Sequence, residues 1–91
     1  MIHSKIRFST HALTRMFQRG IPVDDVRLAL ESETVIEEYP EDQPYPSALV
    51  MAIIKGNPIH IVRSVAEDCI VVITAYRPDT LLWDSSYMKR R

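Results

Sequence analysis

Three residues of one predicted helix have the types and the spacing to hold a phosphate. His11, Arg15 and Arg19 recur every four residues within the stretch 8–21. At about 100° per residue they fall within roughly 80° of arc on one helix face. Guanidinium groups bind phosphate through paired hydrogen bonds, and imidazole titrates near neutral pH. This face is therefore predicted to bind phosphate or to transfer protons.

A second set of candidate residues lies in the last two predicted strands. His60 is on a strand over 59–66, and Tyr76 ends the following strand over 69–76. If the two strands pair as a hairpin, His60 and Tyr76 lie at the same end and on the same side. Arg77 follows directly. The hairpin would thus place an imidazole, a phenol and a guanidinium close together.

These residues suit the cleavage of RNA without a metal ion. The reaction activates a ribose 2′-hydroxyl, stabilises a charged phosphorane and protonates the leaving 5′-oxygen, which requires an acid, a base and cations. The predicted catalytic residues are His60, His11, Arg15, Arg77 and Tyr76. The predicted RNA-binding residues are Arg19, Thr74, Arg90 and Arg91, the last two as a flexible basic arm. No metal or other cofactor is predicted, because the histidines lack the close spacing of metal ligands.

Each candidate also has an ordinary structural interpretation. His60 on a mixed strand face is then a half-buried histidine with satisfied ring nitrogens, and His11 lies in the first turn of its helix. Arg15 and Arg19 are then solvated or paired with acidic residues of the next helix. A different functional interpretation is a non-catalytic module that binds a partner protein through a groove or by strand addition.

Charge is unevenly distributed along a chain whose net charge is −1. Residues 1–20 hold four basic residues and no acidic one, whereas residues 21–42 hold eight acidic residues and one basic one. The chain ends on Lys89, Arg90 and Arg91. This asymmetry predicts opposed electrostatic faces, one of which attracts phosphate.

Length and composition limit the class of protein. Ninety-one residues predict a single α+β domain over 1–91, with 80–91 as a basic tail anchored by Leu81, Leu82 and Trp83. One cysteine excludes an internal disulfide. No apolar run reaches the ~18 residues of a membrane span, so a cytoplasmic location without membrane contact is expected. RNA, a partner protein and a second copy of the chain remain open as partners.

Glycines and prolines separate the predicted elements cleanly. A helix capped by Ser9 or Thr10 and closed by Gly20 precedes a second helix over about 22–31. The first helix is predicted to face the core through Ala12, Leu13, Met16 and Phe17. Four strands follow, over 34–39, 47–54, 59–66 and 69–76, and residues 1–8 are a candidate edge strand. The predicted fold is α+β, with a helical hairpin packed on one face of a mostly antiparallel four-stranded sheet.

The motifs together resemble one protein family. They are Phe8-Ser9-x-His11-Ala12-x-x-Arg15-Met16-x-x-Arg19-Gly20-Ile21, Ile59-His60-Ile61-Val62, Ile73-Thr74-x-Tyr76-x-Pro78-Asp79, Trp83 and Lys89-Arg90-Arg91. This set is similar to the bacterial domain-of-unknown-function family 4258, whose element order is similar to that of the RelE/ParE toxins and the barnase-like and EndoU-like nucleases. The resemblance implies a RelE-like fold and toxin-type RNA cleavage. For the non-catalytic module it implies an antitoxin-like protein as the partner. RelE-type toxins are typically basic overall, and this chain is not.

Overall fold

Two helices and a five-stranded sheet make up the computed structural model, which describes residues 5–91. In chain order the elements are β1 (Lys5–Phe8), α1 (Thr10–Arg19), α2 (Val23–Glu31), β2 (Thr34–Tyr39), β3 (Ser47–Ile54), β4 (Asn57–Ala66) and β5 (Cys69–Tyr76). The predicted α+β class and the order of elements are confirmed. Within residues 5–91, neither helix has the length and hydropathy that a membrane crossing requires.

The sheet is mixed and has five strands, in the order β1-β5-β4-β3-β2. β1 pairs with β5 in parallel, and every other neighbouring pair is antiparallel. The prediction of a mostly antiparallel four-stranded sheet is therefore wrong in strand number. Alternation of apolar and polar residues marks a strand but does not reveal its partner. The first four residues of the predicted N-terminal strand lie outside the described residues.

Local side-chain and backbone preferences determine where α1 begins and ends. The Ser9 hydroxyl accepts a hydrogen bond from the backbone N–H of Ala12 at 3.0 Å, as a helix N-cap does. Gly20 ends the helix with φ +67°, a left-handed conformation that glycine adopts without steric cost. Ser9 also donates to the Ile73 carbonyl of β5 at 3.3 Å. Both predicted caps are confirmed, and one of them ties α1 to the sheet.

The buried face of α1 differs from the predicted one. Ala12 and Met16 are buried, but Leu13 is 44% exposed and Phe17 is 88% exposed. Ala12, Met16 and Arg19 form the side of α1 that faces the sheet. Arg19 belongs to this side because its guanidinium donates to a backbone carbonyl of β5. The predicted core stripe was therefore wrong for Leu13 and Phe17, which lie on the flank of the helix.

A bulge in β5 changes which of its side chains lie on each side of the sheet. Val62 of β4 pairs with Thr74 and Arg63 pairs with Val72, which leaves Ile73 without a partner. Val72 therefore faces the helices. The main core lies on that side and contains Ala12, Met16, Ile21, Val26, Ala29, Leu30, Ala48, Val50, Ala52, Ile59, Ile61, Ile70, Val72 and Ala75.

The opposite side of the sheet is called here the tail face. It carries Ser47, Leu49, Met51, His60, Val62, Ser64, Val71, Ile73, Thr74 and Tyr76. Strict alternation along β5 predicts Val71 and Ile73 in the core, and the bulge reverses that assignment. Residues 77–91 fold over one end of the tail face, where Trp83 is buried as predicted. The prediction of Leu81 and Leu82 as further anchors is wrong, because these side chains are 82% and 57% exposed.

Candidate functional site

His60 is fully enclosed on the tail face. Its neighbours Ile59 and Ile61 belong to the core on the helix side, so the His60 ring points the opposite way. Its exposed fraction is 0%. The ring Nδ1 lies 3.2 Å from the hydroxyl of Tyr76, and Nε2 lies 2.6 Å from the backbone carbonyl of Tyr87. Both ring nitrogens are therefore satisfied.

These two partners determine which nitrogen of His60 carries the hydrogen. A carbonyl oxygen can only accept, so Nε2–H donates to Tyr87. Nδ1 of the neutral ring is then an acceptor, and the Tyr76 hydroxyl donates to it. The chain thus holds an oriented series of hydrogen bonds from Tyr76 through His60 to the backbone of Tyr87.

The C-terminal tail forms the cover over His60. The Trp83 ring meets the imidazole edge to face, with 4.5 Å between centroids and 82° between planes. Trp83 pairs with Arg90 in an antiparallel bridge, and the Arg90 guanidinium lies 4.7 Å from the Trp83 ring centroid. Arg91 donates from Nε to the Thr80 carbonyl at 2.8 Å. The prediction of Arg90 and Arg91 as a flexible arm is wrong, because both are held within the folded tail.

Burial keeps both members of the His60–Tyr76 pair neutral. Burial lowers the pKa of His60; the Tyr87 carbonyl opposes this lowering, and the positive charge of Arg90 adds to it. Burial raises the pKa of Tyr76, and the charges of Arg90 and Arg19 partly offset the rise. At neutral pH the imidazole is thus a free base beside a protonated phenol.

Arg19 is the predicted helix residue that reaches this end of the sheet. Its Nη1 donates to the carbonyl of Ala75 at 2.9 Å, and Ala75 immediately precedes Tyr76. The positive charge of Arg19 lowers the pKa of Tyr76, against the rise that burial causes. Arg19 from α1 and Arg90 from the tail therefore both act on Tyr76, and each carries a positive charge.

The other predicted site residues lie elsewhere or only border this site. His11 and Arg15 are exposed on α1, which packs on the helix side of the sheet, and Arg15 donates to Gln18 at 3.3 Å. Arg77 is exposed directly after β5. Thr74 is half-buried on the tail face beside Tyr76 and pairs with Val62. The sheet thus separates His11 and Arg15 from His60.

Tyr87 is the member of the site that the sequence did not indicate. It contributes a main-chain carbonyl from a backbone with φ +62°, which is uncommon for a residue other than glycine. Any residue type supplies a carbonyl, so no sequence signal marks it. No group of three or more potential metal ligands occurs among residues 5–91.

A family model described as a domain of unknown function, DUF4258, matches residues 8–77. This chain belongs to the DUF4258 family. The region that matches the DUF4258 family includes Arg19, His60 and Tyr76, whereas Trp83 and Tyr87 lie beyond it. The site of this DUF4258 chain is therefore built from the family region and completed by the tail. Neither the comparison with curated proteins nor that with solved structures gave a match.

Proposed function

We propose that this chain is a metal-independent endoribonuclease of the RelE-like toxin type. The observation that carries the proposal is the hydrogen bond between the Tyr76 hydroxyl and His60 Nδ1, with Arg19 and Arg90 acting on the same phenol. RNA cleavage needs a proton acceptor beside a cationic phosphate site. Tyr76 is half-buried and His60 is enclosed, so Tyr76 is the group that meets the substrate.

The proposed proton path starts at the ribose 2′-hydroxyl. As the 2′-oxygen attacks the phosphorus, its proton moves to the Tyr76 oxygen and the phenol proton moves to His60 Nδ1. The resulting imidazolium keeps its Nε2–H donated to the Tyr87 carbonyl, which stabilises the positive charge. Water protonates the leaving 5′-oxygen, and the hydroxide that remains takes the extra proton of His60 back through Tyr76. The products are a 2′,3′-cyclic phosphate and a 5′-hydroxyl.

In this proposal Arg19 and Arg90 bind the phosphate. Guanidinium groups stabilise the charge that develops on a phosphorane, and they do so more strongly where water is excluded. Arg90 is held in place by its stacking on Trp83, and Arg19 by its bond to the Ala75 carbonyl. His60 is a positioning residue, since it acts on RNA through Tyr76.

Incubation of the purified chain with single-stranded RNA in excess chelator tests the proposed reaction. We expect fragments that end in 2′,3′-cyclic phosphate, and no cleavage of the same sequence with 2′-O-methyl groups, because methylation removes the nucleophile. Chelator-sensitive cleavage, or 3′-hydroxyl ends, contradicts the proposal. Cleavage of the methylated RNA also contradicts it.

One observation favours the alternative of a non-catalytic module. Leu13 and Phe17 project from α1 with exposed fractions of 44% and 88%, on a helix that carries basic and no acidic residues. A segment of an antitoxin-like protein that combines apolar and acidic side chains fits this flank. Two results together support this second function. The parent binds such a partner but does not cleave RNA, and the Phe17→Asp variant loses the binding.

A further inference from the structure

A cavity of about 330 Å³ lies on the tail face, away from the His60–Tyr76 pair. It forms between the loop over 40–46 and the strands β3 to β5. Its lining consists of Asp42, Gln43, Pro44, Tyr45, Ser47, Ser64, Val71 and Ile73. The bulge at Ile73 contributes to the cavity, because it turns Val71 and Ile73 toward the loop and away from the core.

The lining of this cavity suits a flat ring with polar edges. Tyr45 is 42% exposed and offers an aromatic surface, while Val71 and Ile73 form an apolar floor opposite the loop. Ser47 and Ser64 place hydroxyl groups at the side, and the Ser47 hydroxyl donates to the Asp42 carboxylate. Nucleobases stack on aromatic side chains and form hydrogen bonds along their edges. Together these groups match a nucleobase.

A second cavity of about 340 Å³ adjoins the first and shares Tyr45 and Val71 with it. Its lining adds Lys5 and Arg7, which project from the edge strand β1 on the tail face, since Arg7 pairs with Val71. The acidic Glu67 and Asp68 line the same cavity from the β4–β5 turn. The positive charge therefore lies along β1 and the negative charge at the turn, so a phosphate is favoured beside Lys5 and Arg7.

The two cavities lie on the same face of β5 as the proposed reaction site. Val71, Ile73, Thr74 and Tyr76 all lie on the tail face. Ile73 and Tyr76 are three residues apart, about 10 Å at the rise of a strand. One strand of nucleic acid that follows β5 would pass from the cavities to Tyr76.

We propose that these cavities form a nucleotide-binding subsite for single-stranded RNA. The base stacks on Tyr45 above Val71 and Ile73, and its phosphate lies beside Lys5 and Arg7. The subsite builds on the proposed RNA cleavage at Tyr76 and holds a nucleotide next to the scissile bond. The acidic turn at Glu67 and Asp68 repels the backbone and directs the RNA along β5 toward Tyr76.

Binding of a fluorescently labelled 2′-O-methyl RNA hexamer, followed by fluorescence anisotropy, tests the subsite without any cleavage step. Tyr45→Ala removes the stacking surface, and Arg7→Glu reverses the charge beside the phosphate. We expect each change to weaken binding about tenfold, and Tyr45→Phe to retain the parent affinity. Phe17→Ala removes an exposed aromatic of α1 and Arg27→Glu reverses a charge on α2, so both serve as matched controls and change binding less than twofold.

Three results overturn the subsite: no binding of the hexamer by the parent, parent-like binding by Tyr45→Ala, or equal losses in the control variants. The proposed cleavage reaction is tested separately from the subsite. If the hexamer binds with the expected dependence on Tyr45 and Arg7 while unmodified RNA stays intact, the subsite stands and the ribonuclease proposal falls.

Discussion

The indole of Trp83 lies edge to face against the imidazole of His60, with 4.5 Å between the ring centroids. Trp83 comes from the tail and is 4% exposed, whereas His60 comes from a strand in the middle of the sheet. The contact therefore joins the last part of the chain to the interior of the fold. It also keeps water from the ring nitrogens that orient Tyr76.

This contact predicts a large contribution of the tail to stability. Trp83→Ala removes a buried aromatic side chain, and we expect it to lower the free energy of unfolding by about 3–5 kcal/mol. Leu82→Ala, at the neighbouring exposed position, is the control and should change it by less than about 0.5 kcal/mol. Urea denaturation measures both. Equal effects of the two substitutions would show that the tail does not pack on His60.

Burial of His60 predicts that stability depends on pH. Burial lowers the folded-state pKa of His60 below the value of about 6.5 in the unfolded chain. Below pH ~6.5 the unfolded chain binds the proton more readily than the folded chain does. The free energy of unfolding therefore decreases as the pH is lowered from ~6.5 to the folded-state pKa. Above pH ~6.5 this group does not change the free energy of unfolding with pH. Urea denaturation of the parent and of His60→Gln from pH 5 to 8 isolates the contribution, and the variant should lose part of the slope.

The hydrogen bond to Tyr87 predicts a single tautomer of the His60 ring. Nitrogen NMR of the histidine side chains should show the hydrogen on Nε2 and none on Nδ1 at neutral pH. In Tyr76→Phe the ring loses its donor at Nδ1 but keeps the carbonyl at Nε2, so the tautomer should persist. Observation of a hydrogen on Nδ1 in the parent would reverse the direction of the proposed proton path.

The burial pattern of α1 predicts that substitutions at the adjacent residues Met16 and Phe17 change the free energy of unfolding by different amounts. Met16 is 1% exposed and Phe17 is 88% exposed. Met16→Ala should therefore lower the free energy of unfolding by about 2–5 kcal/mol. Phe17→Ala should change it by less than about 0.5 kcal/mol. Thermal unfolding of the two variants compares them directly, and a large loss in Phe17→Ala would mean that Phe17 belongs to the core.

The ion pair between Arg63 and Glu33 provides a further prediction. Arg63 Nε donates to Glu33 at 3.0 Å, its Nη2 contacts the other carboxylate oxygen, and both side chains are mostly buried. Glu33→Gln leaves the Arg63 charge without its partner and should cost about 1–3 kcal/mol. The double substitution Glu33→Met with Arg63→Met should recover part of that loss in urea denaturation. A double variant less stable than Glu33→Gln would show that the pair stabilises the fold.

Local rules were sufficient for several features of this chain. A serine before an apolar stripe and a glycine after it correctly predict the ends of α1. Pairing of the last two strands correctly predicts that His60 and Tyr76 lie at the same end of the hairpin, and the bulge then places them directly opposite each other. Both features depend on residues close in sequence, or on a hairpin register with a short turn, where backbone geometry leaves few alternatives.

The rest depends on contacts that residue types do not specify. The bulge at Ile73 shifts the β4–β5 register by one residue and so changes which side chains of β5 face the core. Neither glycine nor proline marks this bulge in the sequence. The parallel pairing of β1 joins residues about 64 positions apart. The Tyr87 carbonyl is a main-chain atom, and its position follows from how the tail folds over Trp83. Of these features, the fold of the tail is the one that encloses His60.

Substitution of Tyr76 by Phe tests the central claim most directly. The change removes only the hydroxyl that donates to His60, and Ser32→Ala removes a hydroxyl of the surface as a matched control for purification and contaminating nuclease. In single-turnover cleavage of RNA with excess chelator, Tyr76→Phe should be slower than the parent by about 10²-fold or more, the scale of general acid–base catalysis. Ser32→Ala should cleave as the parent does. Equal rates for the parent and Tyr76→Phe would contradict the account.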